Sequence, residues 1–217
     1  TPNGTGTIKA IAVAPSNTSI IYIVKDDAIS KSINGGTVFN DITGTLPVGS
    51  ATPVMLAVSN TDPLKVWVVF SGYSANDKVF KSIDGGITWT NISTGLPNLP
   101  INTIVYKNGS ANDAIYIGAD IGIYYMDNAT PWLSYFTDLP NVAVRDLEIF
   151  YPTSKLRAGT YGRGVWESPL YVNIPLPVTI KTFTGETQNE INNLHWTTSQ
   201  EINLLNYDLQ HSANGLD

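Results

Sequence analysis

The 217-residue sequence contains no cysteine and few charged residues, which make up 14% of the chain, against about 25% in an average soluble domain. Without cysteine, the chain forms neither a disulfide scaffold nor a cysteine-ligated zinc site. Long helices and coiled coils are rich in Ala, Glu, Lys and Leu, so this composition argues against them. The 12 Lys and Arg residues are outnumbered by 18 Asp and Glu residues, which excludes the basic surface that binds nucleic-acid backbones. No apolar run approaches the roughly 20 residues of a membrane-spanning helix.

Glycine and proline are plentiful instead, with 18 and 13 copies, so the chain turns often. Short segments rich in β-branched and aromatic residues lie between the turns, which is typical of strands. The hydrophobic fraction of 42% is ample for a core. The sequence therefore predicts an all-β protein with a polar surface of Thr, Asn and Ser.

An internal repeat runs through the first three quarters of the chain. In three places a polar residue is followed five positions later by an aromatic residue, and eight positions after that by the proline of a Leu-Pro pair. The three sets are Asn34, Phe39 and Pro47; Asp84, Trp89 and Pro97; and Asp127, Trp132 and Pro140. Each repeat contains four strand-like segments, which include residues 88–92 in the second repeat and 101–106 in the third. A fourth repeat begins at Val144 and includes the strand-like segment 155–160. Four short strands in roughly 40 to 50 residues predict a β-propeller blade, so we expect four four-stranded blades within a larger propeller.

The second repeat contains the motif Ser82-Ile83-Asp84-Gly85-Gly86-Ile87-Thr88-Trp89, which matches the Asp-box, or BNR, pattern Ser-x-Asp-x-Gly-x-Thr-Trp. Asp84 can accept backbone hydrogen bonds within a tight turn, and the glycines allow positive φ. Asn34 with Gly36, and Asp127 with Trp132, form degenerate copies in the first and third repeats. A calcium-binding role for the Asp84 turn is the alternative, although a hard cation needs several more oxygen ligands.

Residues 1–174 thus resemble Asp-box β-propellers, a group that includes sialidases, the xyloglucanases of glycoside hydrolase family 74 and sortilin-like receptors. The resemblance implies that the box residues have a structural role on the face opposite the binding site; they are Ser82, Asp84, Gly86, Thr88, Trp89, Asn34, Gly36, Asp127 and Trp132. Because such propellers usually have six or more blades, we expect further blades upstream in a longer protein. A complete four-bladed ring is the alternative.

Residues 175–217 are expected to form a second module after a proline-marked boundary. Strand-like segments cover residues 179–184, 191–197 and 207–211. The sequence resembles the fibronectin-III-like module that precedes the sorting domain in cargo of the type IX secretion system. The segments that carry the resemblance are Leu176-Pro177-Val178, Leu194-x-Trp196-Thr197-Thr198 and Asn206-Tyr207. The resemblance implies a truncated β-sandwich in which Trp196 is the core tryptophan, and a missing sorting domain that engages the secretion machinery.

The candidate ligand-binding residues lie in the loops that join the second and third strands of each blade, because propellers usually bind ligands on that face. They are Asp26, Asp77, Asp120, Tyr73, Tyr161 and Arg163. Glycoside hydrolysis requires two carboxyl groups about 5 to 10 Å apart, and these aspartates could supply such a pair; alternatively, they cap loops. The arginines Arg145, Arg157 and Arg163 all lie in the fourth repeat, which argues against a sialidase site built from several blades.

Both histidines, His195 and His211, lie in the second module, so the propeller has neither a Ser-His-Asp triad nor a histidine metal site. No cofactor or metal is predicted. We expect a secreted or cell-surface protein that binds a polysaccharide, another glycan or a cell-surface protein without catalysis. The alternatives are part of a xyloglucanase-like glycoside hydrolase with its catalytic carboxylates in missing blades, or an accessory domain of a secreted peptidase or adhesin. Nucleic-acid binding and membrane spanning are not expected.

Overall fold

The computed structural model describes residues 1–172, 180–188 and 191–199. The chain divides into two compact units, residues 1–170 and 171–217, whereas the predicted module boundary lies at 174/175. No helix within the described ranges is long and apolar enough to cross a bilayer.

The first unit consists of four antiparallel sheets that follow one another along the chain. Blade 1 contains β1 (Ile8–Val13), β2 (Ile21–Lys25), β3 (Ile29–Ser32) and β4 (Asn40–Asp41). Blade 2 contains β5 (Thr52–Val58), β6 (Val66–Ser71), β7 (Val79–Ser82) and β8 (Thr90–Asn91). Blade 3 contains β9 (Ile101–Tyr106), β10 (Ile115–Ala119), β11 (Ile123–Met126) and β12 (Leu133–Ser134). Blade 4 contains β13 (Val144–Phe150), a short 3₁₀ helix (Tyr151–Thr153), β14 (Lys155–Thr160) and β15 (Val165–Pro169).

Within every sheet each strand pairs with the next strand in the chain, which is the meander of a propeller blade. The predicted all-β blade architecture is therefore confirmed. In blade 4 the described part of the chain supplies three strands. Leu170 stands where the other repeats have Asn34, Asp84 and Asp127. It is buried, and its N–H group donates to the carbonyl of Ser154 at 3.1 Å.

The core lies between the blades. In β6, Val66, Val68 and Phe70 belong to the apolar cluster shared with blade 1, whereas Trp67 and Val69 belong to the cluster shared with blade 3. A strand whose two faces are both covered has a continuous apolar sequence rather than an alternating one, as in the run from Val66 to Phe70. Blade 2 is thus covered on both faces.

The two ends of the row of blades differ in chemistry. On blade 1, Ile8, Ile11 and Val13 are 46%, 59% and 46% exposed. On blade 4, the register places Glu148, Arg157 and Glu167 side by side across the sheet, and Arg157 Nε lies 2.9 Å from Glu167 Oε2. The exposed side chains of β1 in blade 1 are therefore apolar, whereas charged side chains cross the outer face of blade 4.

Alternating strand direction separates the connections into two faces of the first unit. The loop face carries the turns between second and third strands and the connections between blades, including residues 26–28, 72–78, 120–122 and 161–164. The box face carries the turns between third and fourth strands and those between first and second strands, including residues 33–39, 83–89 and 127–132. The ligand candidates are on the loop face, and the box residues are on the box face.

The described part of the second unit is a hairpin of β16 (Ile180–Gln188) and β17 (Ile191–Thr198). These strands correspond to the first two strand-like segments predicted for the second module. Phe183 and Trp196 face each other in the register, with ring centroids 6.5 Å apart. The third predicted strand, residues 207–211, lies outside the described residues, as do Leu176-Pro177-Val178 and Asn206-Tyr207.

Candidate ligand-binding site

A polar cluster lies on the loop face where blades 3 and 4 meet. Asp120 Oδ1 accepts a hydrogen bond of 3.0 Å from Asn102 Nδ2 and lies 3.9 Å from Arg145 Nη1. Arg145 donates to Asn102 Oδ1 at 3.0 Å, and its guanidinium carbon lies 5.7 Å from the centre of the Tyr161 ring. Tyr161 is 74% exposed. The structure thus brings together two predicted candidates, Asp120 and Tyr161, through two residues that the sequence analysis did not assign to the site.

The backbone holds this cluster in place. The N–H group of Asp120 donates to the carbonyl of Pro100 at 3.0 Å, and that of Tyr161 to the carbonyl of Ala143 at 2.9 Å. Asn102 Nδ2 also donates to the carbonyl of Val144 at 3.2 Å. Each loop is therefore hydrogen-bonded to the connection or strand beside it. These bonds hold the backbone that carries the side chains of the cluster.

A β-bulge explains why Asn102 and Arg145 point into the cluster. The register of the first two strands shifts at the same place in every blade, which leaves one unpaired residue in each first strand: Lys9, Val54, Asn102 and Arg145. A bulge bends its strand and redirects a side chain. Aligning the four repeats strand by strand places these residues at one position, and this alignment is the signal that could have identified them.

The carboxylates of blade 1 bind the chain that precedes the blade. Asp26 lies 2.8 Å from Lys9 Nζ and accepts a hydrogen bond from the Thr7 N–H group at 3.0 Å. Asp27 accepts backbone N–H groups from Thr5 at 2.7 Å and from Gly6 at 3.0 Å. The hydrogen bonds from Lys9 and Thr7 lower the pKa of Asp26, and those from Thr5 and Gly6 lower the pKa of Asp27. Both groups therefore stay ionised and hydrogen-bonded to the chain.

The remaining candidates lie apart from the cluster contacts described above. Asp77 Oδ2 accepts a hydrogen bond of 2.7 Å from Ser74 Oγ within its own loop. Tyr73, in the same loop, is 69% exposed, and its carbonyl accepts Asn98 Nδ2 at 2.9 Å. Arg163 is exposed in the loop of Tyr161. No group of three or more Asp, Glu, His or Cys residues suited to a metal ion occurs in the ranges that the structure describes.

The turn of blade 2 on the box face is organised by Asp84. Its Oδ1 accepts hydrogen bonds from Ser82 Oγ at 2.7 Å and from the Thr88 N–H group at 2.9 Å, and its Oδ2 accepts Thr88 Oγ1 at 2.6 Å. These bonds, chiefly the one from the Thr88 hydroxyl, lower the pKa of Asp84 to about 2. In blade 1, Asn34 Oδ1 accepts the equivalent bonds from Ser32 Oγ and the Val38 N–H group, both at 2.9 Å. One side-chain oxygen is therefore enough to close the turn.

Glycine at position 86 is required by both conformation and space. Its φ is +91°, which disfavours any other residue. A Cβ atom at this position would lie 2.6 Å from Ile42 Cδ1 of blade 1. The Gly86 N–H group also donates to Ser82 Oγ at 2.8 Å. This turn therefore packs closely against the preceding blade.

Replacing Asp84 by alanine is expected to lower the free energy of unfolding by about 1 kcal/mol, since an exposed turn loses its acceptor. Asp84→Asn keeps one acceptor, as Asn34 does, and should have a smaller effect. Because the pKa of Asp84 is lower in the folded state than its unfolded value of about 3.9, its charge stabilises the fold above that pH. This contribution is lost as the pH falls towards 2. Urea unfolding from pH 7 to pH 2 should show the wild-type advantage over Asp84→Asn shrinking below pH 4, and a pH-independent difference would contradict this assignment.

The turn of blade 3 is shorter than its counterparts. In blades 1 and 2 the register pairs residues nine positions apart, Lys31 with Asn40 and Lys81 with Thr90, whereas in blade 3 it pairs Tyr125 with Leu133, eight positions apart. Asp127 Oδ1 accordingly accepts N–H groups two and three positions later, at 2.9 and 2.6 Å, where Asp84 bonds four positions later. Asp127 and Trp132 therefore have the same spacing as their counterparts in the other repeats, although the turn between them is different.

Each tryptophan at the end of a box turn donates to the preceding blade. Trp89 Nε1 donates to the carbonyl of Ile42 at 2.8 Å, and Trp132 Nε1 donates to the carbonyl of Ile92 at 2.6 Å. Both rings pack against the interblade apolar clusters. The acceptors are equivalent, because each directly follows the fourth strand of its blade.

An ion-pair network that the sequence analysis missed joins blades 2 and 3 on the box face. Asp113, which is 7% exposed, accepts hydrogen bonds of 3.0 Å from both Lys65 Nζ and Lys81 Nζ. Asn128 Nδ2 donates to Asp113 at 3.2 Å, and Lys81 Nζ lies 5.4 Å from the centre of the Trp67 ring. Burial raises the pKa of Asp113, but the hydrogen bonds from Lys81, Lys65 and Asn128 outweigh it, so the pKa is lowered. The residues of the network are far apart in sequence, so their spacing could not predict it.

No family model matches the chain. A xyloglucanase from Hypocrea jecorina is 28% identical over 123 residues, which cover 55% of this chain and 14% of that protein. The solved family 74 xyloglucanase from Xanthomonas campestris aligns with a TM-score of 0.60 at 14% identity over 75% of this chain and 28% of its own. The extracellular domain of a one-component system from B. thetaiotaomicron aligns with a TM-score of 0.57 at 21% identity over 78% of this chain and 22% of its own. YCF48 from Cyanidioschyzon merolae aligns with a TM-score of 0.51 at 12% identity over 82% of this chain and 60% of its own.

Together with the sheet topology, these similarities define the first unit as a set of β-propeller blades. The chain spans 14% of the xyloglucanase from Hypocrea jecorina. It spans 28% of the solved xyloglucanase from Xanthomonas campestris and 22% of the B. thetaiotaomicron domain. The likeness to the solved structures therefore concerns the fold, and the activities of the longer proteins belong to those proteins.

Proposed function

We propose that this chain is a segment of a secreted or cell-surface propeller that binds a glycan on its loop face without cleaving it. The exposed Tyr161 ring carries the proposal, because the Arg145 guanidinium carbon lies 5.7 Å from its centre and the ring thus stands beside hydrogen-bonding groups. A sugar presents C–H groups on its ring faces and hydroxyl groups around its edge. An exposed aromatic ring suits the former, and converging polar groups such as Asn102 and Asp120 suit the latter.

Two carboxylates of the loop face, Asp26 and Asp27, are poorly suited to the acid role in hydrolysis. A glycosidase keeps one carboxyl group protonated as the general acid, which requires a raised pKa. The pKa values of Asp26 and Asp27 are lowered instead. Asp120 is hydrogen-bonded to Asn102 and lies close to Arg145, an arrangement suited to positioning those two side chains.

The proposal includes the roles that the sequence predicts for the other parts of the chain. The box residues around Asp84 act as structural turns, which the closed hydrogen-bond set of that side chain supports. The exposed apolar side chains of blade 1, Ile11 and Val13 among them, suit packing against a further blade. The stacked Phe183 and Trp196 pair suits the inner face of a fibronectin-III-like sandwich, of the kind that precedes type IX sorting domains.

Affinity electrophoresis in gels containing xyloglucan or mixed-linkage β-glucan tests the glycan proposal. The full chain should be retarded by at least one polysaccharide, and the double variant Asp120→Ala with Tyr161→Ala should lose at least tenfold in affinity. Asp84→Ala is the matched control, since it alters a carboxylate on the box face and should leave the affinity unchanged. Absence of retardation by both polysaccharides, or undiminished retardation of the double variant, would reject the proposal.

A second candidate function is a part of a glycoside hydrolase whose catalytic carboxylates lie in other blades. The 28% identity to a xyloglucanase over 123 residues favours it. Release of reducing ends from xyloglucan distinguishes the two functions when it is measured on a longer protein that contains the other blades, because this chain alone lacks the catalytic pair under either function. We expect no release. Release by the longer protein would establish a hydrolase and exclude the non-catalytic function.

A further inference from the structure

The loop between the second and third strands is longer in blade 2 than in the other blades. It covers residues 72–78, whereas its counterparts cover residues 26–28, 120–122 and 161–164. The loop of blade 2 therefore has seven residues where the others have three or four. An extension in one repeat of an otherwise short connection indicates a local role, because loops on a rigid scaffold carry a large share of binding residues.

Two asparagine side chains outside this loop hold its main chain. Asn91 Nδ2, from β8, donates to the carbonyl of Asn76 at 2.7 Å. Asn98 Nδ2, from the connection to blade 3, donates to the carbonyl of Tyr73 at 2.9 Å. Both acceptors are backbone carbonyls, so these bonds fix the path of the loop itself.

Lys78 closes the loop from the inside. Its side chain is buried, with 1% of the residue exposed, and its Nζ donates to the carbonyl of Gly72 at 2.6 Å. The bond joins the last residue of the loop to the first. A buried ammonium group is costly unless it is hydrogen-bonded, so a lysine at this position indicates a structural need. The other blades have small residues directly before the third strand, namely Ala28, Gly122 and Gly164.

The loop exposes an aromatic ring. Tyr73 is 69% exposed, although its carbonyl is hydrogen-bonded to Asn98. The corresponding loops of blades 3 and 4 expose Ile121 to 39% and Tyr161 to 74%. Blade 3 lies between blades 2 and 4, because β9 packs against both β5 and β13. Exposed apolar or aromatic side chains therefore occur in three successive blades on the loop face.

We propose that Tyr73 is a second contact for the glycan, which only a chain of several sugars reaches, and that Lys78 is its positioning residue. This inference rests on the proposed function, since the cluster around Tyr161 is the first contact. The ligand class is thereby narrowed to an extended polysaccharide that runs across blades 4, 3 and 2. The Tyr73 ring packs against the C–H face of a sugar, and Ile121 contacts the sugars between the two tyrosines.

Two contacts on one frame act together only on a ligand that is long enough to reach both. The second contact is then intramolecular, and the affinity exceeds that of either contact alone. A short ligand that occupies the Tyr161 cluster gains nothing from Tyr73. The gain also depends on a loop that is ordered before binding, because ordering it on binding would cost free energy. This requirement accounts for the buried Lys78.

Isothermal titration calorimetry with oligosaccharides of three to ten sugars, prepared from mixed-linkage β-glucan, tests the second contact. The affinity of the wild type should rise with ligand length. Tyr73→Ala should lose about fivefold in affinity for the longest oligosaccharide, the loss expected for one aromatic contact, and should bind the shortest like the wild type. Tyr161→Ala should lose affinity at every length. Tyr73→Phe keeps the ring and should stay within twofold of the wild type.

Lys78→Met tests the positioning role, because methionine keeps an apolar stem and lacks the ammonium group that bonds to Gly72. This variant should lose affinity only for long oligosaccharides, and adding Tyr73→Ala to it should cost nothing more. Lys81→Met, which alters a lysine on the box face, is the matched control and should bind like the wild type at every length.

The outcomes separate this inference from the function on which it rests. Wild-type binding that Tyr73→Ala leaves unchanged at every length would overturn the second contact and leave the glycan proposal standing. Additive losses from Lys78→Met and Tyr73→Ala would overturn the positioning role of Lys78. Absence of binding to every oligosaccharide would overturn the inference together with the glycan proposal.

Discussion

Asp113→Ala is expected to lower the free energy of unfolding by about 3 kcal/mol, one of the two largest effects that we anticipate. The substitution leaves Lys65 and Lys81, both bonded to this carboxylate at 3.0 Å, without their shared partner. Breaking a buried pair costs more than the pair contributes, because the remaining charge is left uncompensated. We expect a loss of unfolding free energy at the lower end of the range that is usual for a broken buried ion pair, since the side chain of Lys65 is 32% exposed. Asp113 also has a φ of +55°, which alanine tolerates poorly.

Asp113→Asn separates the contribution of charge from that of backbone conformation. Asparagine accepts positive φ at least as well as aspartate and retains an oxygen acceptor, so we expect a loss of about half that of alanine. Guanidinium chloride unfolding at pH 7 provides the comparison. The triple variant Lys65→Met, Lys81→Met and Asp113→Asn removes every charge of the network and keeps a residue that accepts positive φ, so it tests whether the network contributes through its charges; it should be more stable than Asp113→Ala. Equal midpoints for wild type and Asp113→Ala would show that the network does not hold blades 2 and 3 together.

The pattern of strands follows from the sequence because each strand has its own local composition. Predicted strands 101–106 and 155–160 agree with β9 and β14 to the residue. The predicted fourth strands are too long, since 88–92 is expected and Thr90–Asn91 is found. The reason is that the Thr88 N–H group bonds to Asp84 rather than to β7. Hydrogen bonds to the Asp84 side chain thus keep residues out of the strand pairing that β-propensity alone predicts for them.

The candidate site is predicted in part, because the sequence indicates which loops share a face but not which side chains meet. Asp120 and Tyr161 were selected by position in their loops, and they lie within one cluster. Asn102 and Arg145 were not assigned to it, because an alternating pattern gives no sign of a bulge, which depends on the register with the second strand. Asp113 escaped notice for a similar reason, since its lysine partners are 48 and 32 positions away.

The other large effect concerns the tryptophans that connect the blades. Trp132→Ala should lower the free energy of unfolding by about 3 kcal/mol, through lost packing against the cluster of blades 2 and 3 and through the loss of the donor for the Ile92 carbonyl. Trp132→Phe keeps most of the ring but leaves that carbonyl without the indole bond, so a loss of about 1 kcal/mol is expected. Chemical denaturation of both variants measures the contribution of ring packing and that of the indole hydrogen bond.

Phe39→Ala is the control, because Phe39 occupies the same position in blade 1, on the side that faces away from blade 2. If the aromatic residue acts between blades, this substitution should cost well under half as much as Trp132→Ala, since none of the other described blades lies on that side. If it acts only within its own turn, the two substitutions should cost about the same, and the interblade role would be refuted. A large difference would mean that the third repeat retains Trp132, despite its altered turn, because blade 3 depends on blade 2 at this contact.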